Sequence, residues 1–126
     1  MNAEERLKRP LLGQLGEMLA AEYLRVKKGY TILERNYRCT CGEIDIVADD
    51  GGALVFVEVR TKENDFFGHP LESIDFKKQG KLRQVARFYL SERHVWRDTV
   101  RFDAVGILLA EGEEPVFDLV QNAVVW

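Results

Sequence analysis

Gly42-Glu43-Ile44-Asp45-Ile46-Val47 and, after a short break, Leu54-Val55-Phe56-Val57-Glu58-Val59-Arg60 decide how this chain is read. Each is an apolar, β-branched run that carries an acid near its middle. Strands of this kind normally exclude carboxylates, because a buried charge is costly unless it is paired or bound to a metal ion. Between the runs stands Asp49-Asp50-Gly51-Gly52, a strong tight-turn signal, so the two runs are expected to be the arms of one hairpin. Alternation puts Glu43, Asp45 and Val47 on one face of the first arm, and Phe56, Glu58, Arg60 and Lys62 on one face of the second. With Ala48 set opposite Ala53, Asp45 falls opposite Phe56 and beside Glu58. A slip of one residue would separate the carboxylates. Two carboxylates on a rigid sheet, with bases just beyond, make a divalent-metal site. The plainer reading of the same residues is a set of cross-strand ion pairs with Arg60, Lys62 or Arg101.

Working outward, residues 11–28 read as a helix closed by Gly29. Leu12, Leu15, Leu19, Tyr23 and Val26 form an apolar stripe at helical spacing. A second face carries Gly13, Gly16, Glu17, Ala20 and Leu24, small enough to lie close to a sheet. Residues 30–37 read as a strand ahead of the hairpin arms at 42–48 and 53–62. A loop with Phe66 and Phe67 follows, then a second helix over 75–93 whose apolar row is Leu82, Val85, Ala86, Tyr89 and Leu90. Residues 100–109 and 115–125 read as two more strands. The order α-β-β-β-α-β-β places the chain in the α/β class, with a central mixed sheet flanked by helices.

At 126 residues the chain is expected to be one domain, with residues 1–10 a flexible leading segment. No apolar run reaches membrane-spanning length, and the charged first residues lack a signal-peptide core, so a cytoplasmic protein with no membrane partner is expected. Cys39 and Cys41 read as two reduced thiols. A disulfide across two positions would be strained, and His69 and His94 have no zinc-ligand spacing relative to them. The net charge of −3 argues against coating nucleic acid by bulk charge. A local basic face remains: Lys77, Lys78, Lys81, Arg83 and Arg87 occur with no acid among them.

A resemblance sharpens these readings. Gly16-Glu17, Ala20, Tyr23-Leu24, Gly29-Tyr30, Asn36-Tyr37-Arg38, Gly42-Glu43-Ile44-Asp45, Val55 through Thr61, Lys78-Gln79 and Arg101-Phe102-Asp103 resemble the YraN family, from about Leu12 to Val105. Those small bacterial proteins resemble Holliday-junction resolvases and other restriction-endonuclease-like nucleases. The resemblance implies a restriction-endonuclease-like fold and a core of an acid, a spacer and Glu-x-Lys, with a further Glu on the first helix. Carried over, the acid is Asp45, the Glu is Glu58, and the helical Glu is Glu17, with Glu22 as its rival. The lysine position holds Arg60, which keeps its proton and so cannot act as a general base, but can hold a phosphate oxygen with two hydrogen bonds. Lys62 stands two residues on and can offer an ammonium, or be a strand-end surface lysine.

The function these readings imply is a metal-dependent nuclease acting on DNA, with branched or recombination intermediates as its substrates. Mg²⁺ or Mn²⁺ would be held by Asp45, Glu58, the Val59 carbonyl and Glu17. Gln79 would contact the phosphate or water near the metal, and Lys77, Lys78, Lys81, Arg83 and Arg87 would contact the nucleic-acid backbone. Asp103 is read as structural, paired with Arg101 or Arg60. Related resolvases act as dimers, so a homodimer is expected. Two other readings stand beside this one. The first is a nucleic-acid-binding module that keeps the fold without the reaction, with Arg60 as its cue. The second is an interaction protein using the Phe66-Phe67 loop to cover a partner.

Overall fold

The hairpin arms lie at the heart of a five-stranded sheet whose spatial order follows the chain. In a computed structural model, which describes residues 2–64 and 68–126 apart from the side chains of Glu5 and Arg9, the strands are β1 (Thr31–Cys39), β2 (Gly42–Asp50), β3 (Ala53–Lys62), β4 (Val100–Leu108) and β5 (Val116–Val124). The pairs β1–β2, β2–β3 and β4–β5 are antiparallel, and β3–β4 is parallel. A parallel pair needs a long crossover, which α2 (Phe76–Glu92) supplies after a short 3-10 turn at Pro70–Ser73. The mixed sheet and the order α-β-β-β-α-β-β are those the sequence predicts. The loop residues Phe66 and Phe67 lie outside the described residues.

The first helix is longer than expected, and its small-residue face meets the sheet as expected. α1 runs Ala3–Lys28, so most of the leading segment expected to be flexible is helical, with Pro10 inside the helix. Its apolar stripe is divided: Leu12, Leu19 and Tyr23 are half-buried and Leu15 and Val26 are exposed, whereas Gly16, Ala20 and Leu24 are buried. Small residues win because they let the helix axis approach the sheet. A Cβ on Gly16 would overlap the Thr61 side-chain oxygen on β3, so only glycine fits there. Ala20 and Leu24 then pack with Ile46, Val55, Val57, Val105 and Ile107 on that face.

On the opposite face Leu82, Val85, Ala86 and Tyr89 of α2 cover Ile44, Val47, Leu54, Phe56 and Phe102. Tyr89 meets Tyr37 and Phe56 edge-on at 4.9 and 5.4 Å, the favoured aromatic geometry. α2 is capped by Asp75, whose side chain accepts from the Lys78 N–H at 2.8 Å, a cap worth ~1 kcal/mol. Asp103 is fully enclosed: it accepts from Tyr30 Oη at 2.7 Å, from Arg101 Nε at 2.8 Å and from the Asn122 N–H at 3.2 Å. Its partner is thus Arg101 and not Arg60. Among the described residues no helix is long and apolar enough to cross a membrane.

Candidate active site

The register between the hairpin arms differs from expectation by two residues. Asp50 pairs with Ala53 and Ala48 with Val55, leaving Gly51 and Gly52, both at positive φ, as the turn. A shift of two preserves facing, and it moves Asp45 from opposite Phe56 to the level of Glu58. The β2–β3 ladder stops at Ile46–Val57, just short of the two acids. There the Val59 N–H donates instead to the Asp45 carboxylate, at 2.8 Å.

Strict alternation along β2 also breaks at this point. Ile44 and Val47 pack on the α2 side, while Ile46 and Ala48 pack on the α1 side, so the expected common face for Glu43, Asp45 and Val47 does not hold. The neighbouring strand is irregular at the same level. The β1–β2 ladder pairs Arg35 with Ile46 and Tyr37 with Ile44, which sets Asn36 opposite Asp45. Asn36 adopts φ 56°, a left-handed conformation that asparagine tolerates better than most residues. That left-handed residue stands beside the point where the alternation of β2 breaks. Sequence reading named Asn36 only as part of a family pattern; an asparagine in the middle of a strand was the available signal.

Asp45 and Glu58 are each 7% exposed. Burial pushes both carboxyls up, Glu58 to about 8, helped there by the hydrogen bond and charge of Asp45. Two neighbouring buried carboxylates do not both ionise readily, and of the two Glu58 is held the more strongly toward its protonated form. Glu17 on α1 raises Asp45 further by its charge and a side-chain hydrogen bond. Glu22, the rival, is exposed and bound to Arg25 at 2.9 Å. Lys78 Nζ stands 3.1 Å from Glu58 Oε2, and Arg60 Nη2 stands 3.8 Å from it. Neither is aligned as a donor: among the described residues Glu58 Oε2 has no hydrogen-bond partner, and neither has Arg60 Nε.

Glu17, Val59, Arg60 and Lys62 line one open cleft of about 560 Å³, walled by Leu12, Gly13 and Thr61 and, across from them, by Pro70 and Ser73. Lys78 therefore joins the acid pair rather than an outer basic face. The rest of that expected face divides. Lys77 and Lys81 are exposed, but Arg83 donates to the Val125 carbonyl at 2.9 Å and Arg87 lies over the Trp126 ring at 5.5 Å. The Gln79 amide donates to the Ile74 carbonyl at 3.4 Å, at the start of α2.

Among the described residues no group of three or more His, Cys, Asp and Glu side chains is placed to hold a metal ion. What the chain offers is two buried carboxylates, one oxygen of which lacks a hydrogen bond, with the Val59 backbone beside them. An oxygen donor set with few protein ligands fits Mg²⁺ or Mn²⁺, which bind through one or two carboxylates and keep several waters.

A family model described as "Uncharacterised protein family UPF0102" matches residues 16–107. A UPF0102 protein of Moorella thermoacetica is 50% identical over 101 residues, 80% of this chain and 83% of the relative. One from Geotalea uraniireducens is 39% identical over 123 residues, 98% of this chain and 96% of the relative. One from Acidothermus cellulolyticus is 45% identical over 125 residues, 91% of this chain and 94% of the relative.

Proposed function

The chain belongs to the uncharacterised family UPF0102, and from that premise and its buried acid pair we propose a metal-dependent nuclease of restriction-endonuclease-like fold that hydrolyses DNA phosphodiesters. The observation that carries this reading is Glu58 Oε2, buried beside a second carboxylate and left without a hydrogen bond. A buried polar atom without a hydrogen bond costs stability, and such costs are concentrated at functional sites. A divalent ion would be held by Asp45, Glu58 and the Val59 carbonyl, with Glu17 beside them. Bound there, it would supply charge neutralisation and a lowered pKa for an attacking water.

The remaining roles fall to the chain's own groups. The Val59 N–H fixes the Asp45 carboxylate in place. Arg60 offers the cleft a guanidinium for a phosphate oxygen, and Lys62 lines the same wall. Lys78 offers an ammonium 3.1 Å from Glu58, so an amine reaches the acid pair although the strand position after Glu58-Val59 holds arginine. Lys77 and Lys81, exposed on α2, are fit to contact the phosphate backbone. Branched or recombination intermediates are the substrates that the YraN-family resemblance points to. Arg60 favours a second reading, a DNA-binding module without the reaction, since arginine cannot serve as a base.

The test is incubation of purified protein with labelled single-stranded, duplex, flap and four-way-junction DNA, with Mg²⁺ or Mn²⁺ and with EDTA. Metal-dependent cleavage that disappears in Glu58→Gln and Asp45→Asn, with binding retained, is the expected result. Binding without cleavage under either metal would move the assignment to the module. Cleavage that persists in both variants would remove the site.

A further inference from the structure

Of the thirteen large hydrophobic side chains left exposed among the described residues, five lie on α1: Leu7, Leu11, Leu15, Met18 and Val26. At 100° per residue they share one side of the helix, turned away from the Gly16, Ala20 and Leu24 face that packs on the sheet. With Glu22 they are spaced 4, 4, 3, 4 and 4 residues apart. That series reads the same in both directions about the midpoint between Leu15 and Met18. A two-fold axis through that midpoint lays the stripe antiparallel on its own copy: Leu7 on Val26, Leu11 on the stem of Glu22, and Leu15 on Met18. Self-complementarity of this kind, in which residue i meets j and j meets i, is the requirement for a two-fold homodimer.

Charge agrees with this arrangement. The antiparallel pairing brings Glu4 in the first turn of one helix to the last turn of the other, which carries Arg25, Lys27 and Lys28. It also brings Lys8 within one turn of the partner copy's Glu22. The contacts these groups make within one chain, Glu22 with Arg25 and Lys8 with Glu63, are exposed surface pairs of little strength, open to exchange. The first two turns of α1 add a third argument. They are exposed throughout their described side chains, and a short helical segment that buries nothing is marginal in water. We propose that α1 is a homodimerisation helix, and that its occupant is the α1 of a second copy, antiparallel about the Leu15–Met18 midpoint. This inference does not rest on the nuclease reading, because mass and cross-linking report it without cleavage.

Light scattering on the size-exclusion eluate of the full chain tests it. A dimer mass is expected, falling to the monomer mass in Leu15→Glu and separately in Leu11→Glu, each with an unchanged far-ultraviolet dichroism spectrum. Because both side chains are exposed, at least one variant is expected to fold. Register is tested by Leu7→Cys/Val26→Cys in a Cys39→Ser/Cys41→Ser background: mild oxidation should yield a covalent dimer, whereas Leu7→Cys alone should not. A monomeric native protein, a dimer that survives both glutamate variants, or cross-linking by Leu7→Cys alone would each overturn the proposal.

Discussion

At the scale of the residue, everything turns on how Glu58 carries its proton. Its folded-state pKa of about 8 lies above the ordinary carboxyl value of 4.5, so the folded protein binds more protons than the unfolded chain between those values. The stability this contributes is complete below the unfolded pKa and is lost as pH rises through about 8. Metal-free protein should therefore lose thermal stability from pH 5 toward pH 8. Glu58→Gln should flatten that decline and stabilise the protein at pH 8 by ~1 kcal/mol, as read by melting curves at each pH. A divalent ion must displace the same proton, so Mn²⁺ affinity, measured calorimetrically, should rise with pH over this range. Lys78 holds Glu58 down by its charge. Lys78→Gln should accordingly move the midpoint of Mn²⁺ binding to higher pH, and a midpoint that stays put would separate Lys78 from the acid pair.

At the scale of the element, glycine and asparagine place the acids. Gly16 lets α1 sit against Thr61, which brings Glu17 over β3. Gly16→Ala should cost ~1–3 kcal/mol in urea unfolding through overpacking. Gly13→Ala, whose added Cβ meets nothing within 4 Å, should be neutral or stabilising by up to ~1 kcal/mol. Asn36→Val should cost ~1–2 kcal/mol by forcing a β-branched residue to φ 56°, while Asn36→Gly should be tolerated. These same residues mark where the sequence was legible. The acids announced themselves because carboxylates are out of place in apolar strands, and the small face of α1 was visible as a close-packing surface. The register differs from the expected one by two residues because Asp50 still pairs, which leaves only the glycines to turn. The break in alternation at Asp45 could not be read from β2 at all, since no residue of β2 marks it and the left-handed residue beside it, Asn36, belongs to the neighbouring strand.

At the scale of the whole molecule, the acidic balance and the basic helix are reconciled by position. The chain carries −3 overall, yet α2 presents no acid from Phe76 to Ser91. Charge along the sequence could not divide that helix, because division depends on what lies against each side. Lys78 turns in to Glu58, Arg83 and Arg87 turn to the chain's last residues, and Lys77 and Lys81 face solvent. Nucleic-acid affinity in EDTA should follow that division. Each neutralised phosphate releases condensed counterions, so removing one phosphate contact should lower the slope of log affinity against log salt by about 1 for duplex DNA. Lys77→Ala and Lys81→Ala should each do so without changing the melting temperature. Arg83→Ala should leave the slope unchanged and instead loosen the Val125 end of the chain, lowering stability by ~1 kcal/mol for the lost hydrogen bond. An Arg83→Ala slope that falls as far as those of the two lysine variants would return the whole row, as the sequence first read it, to the nucleic-acid face.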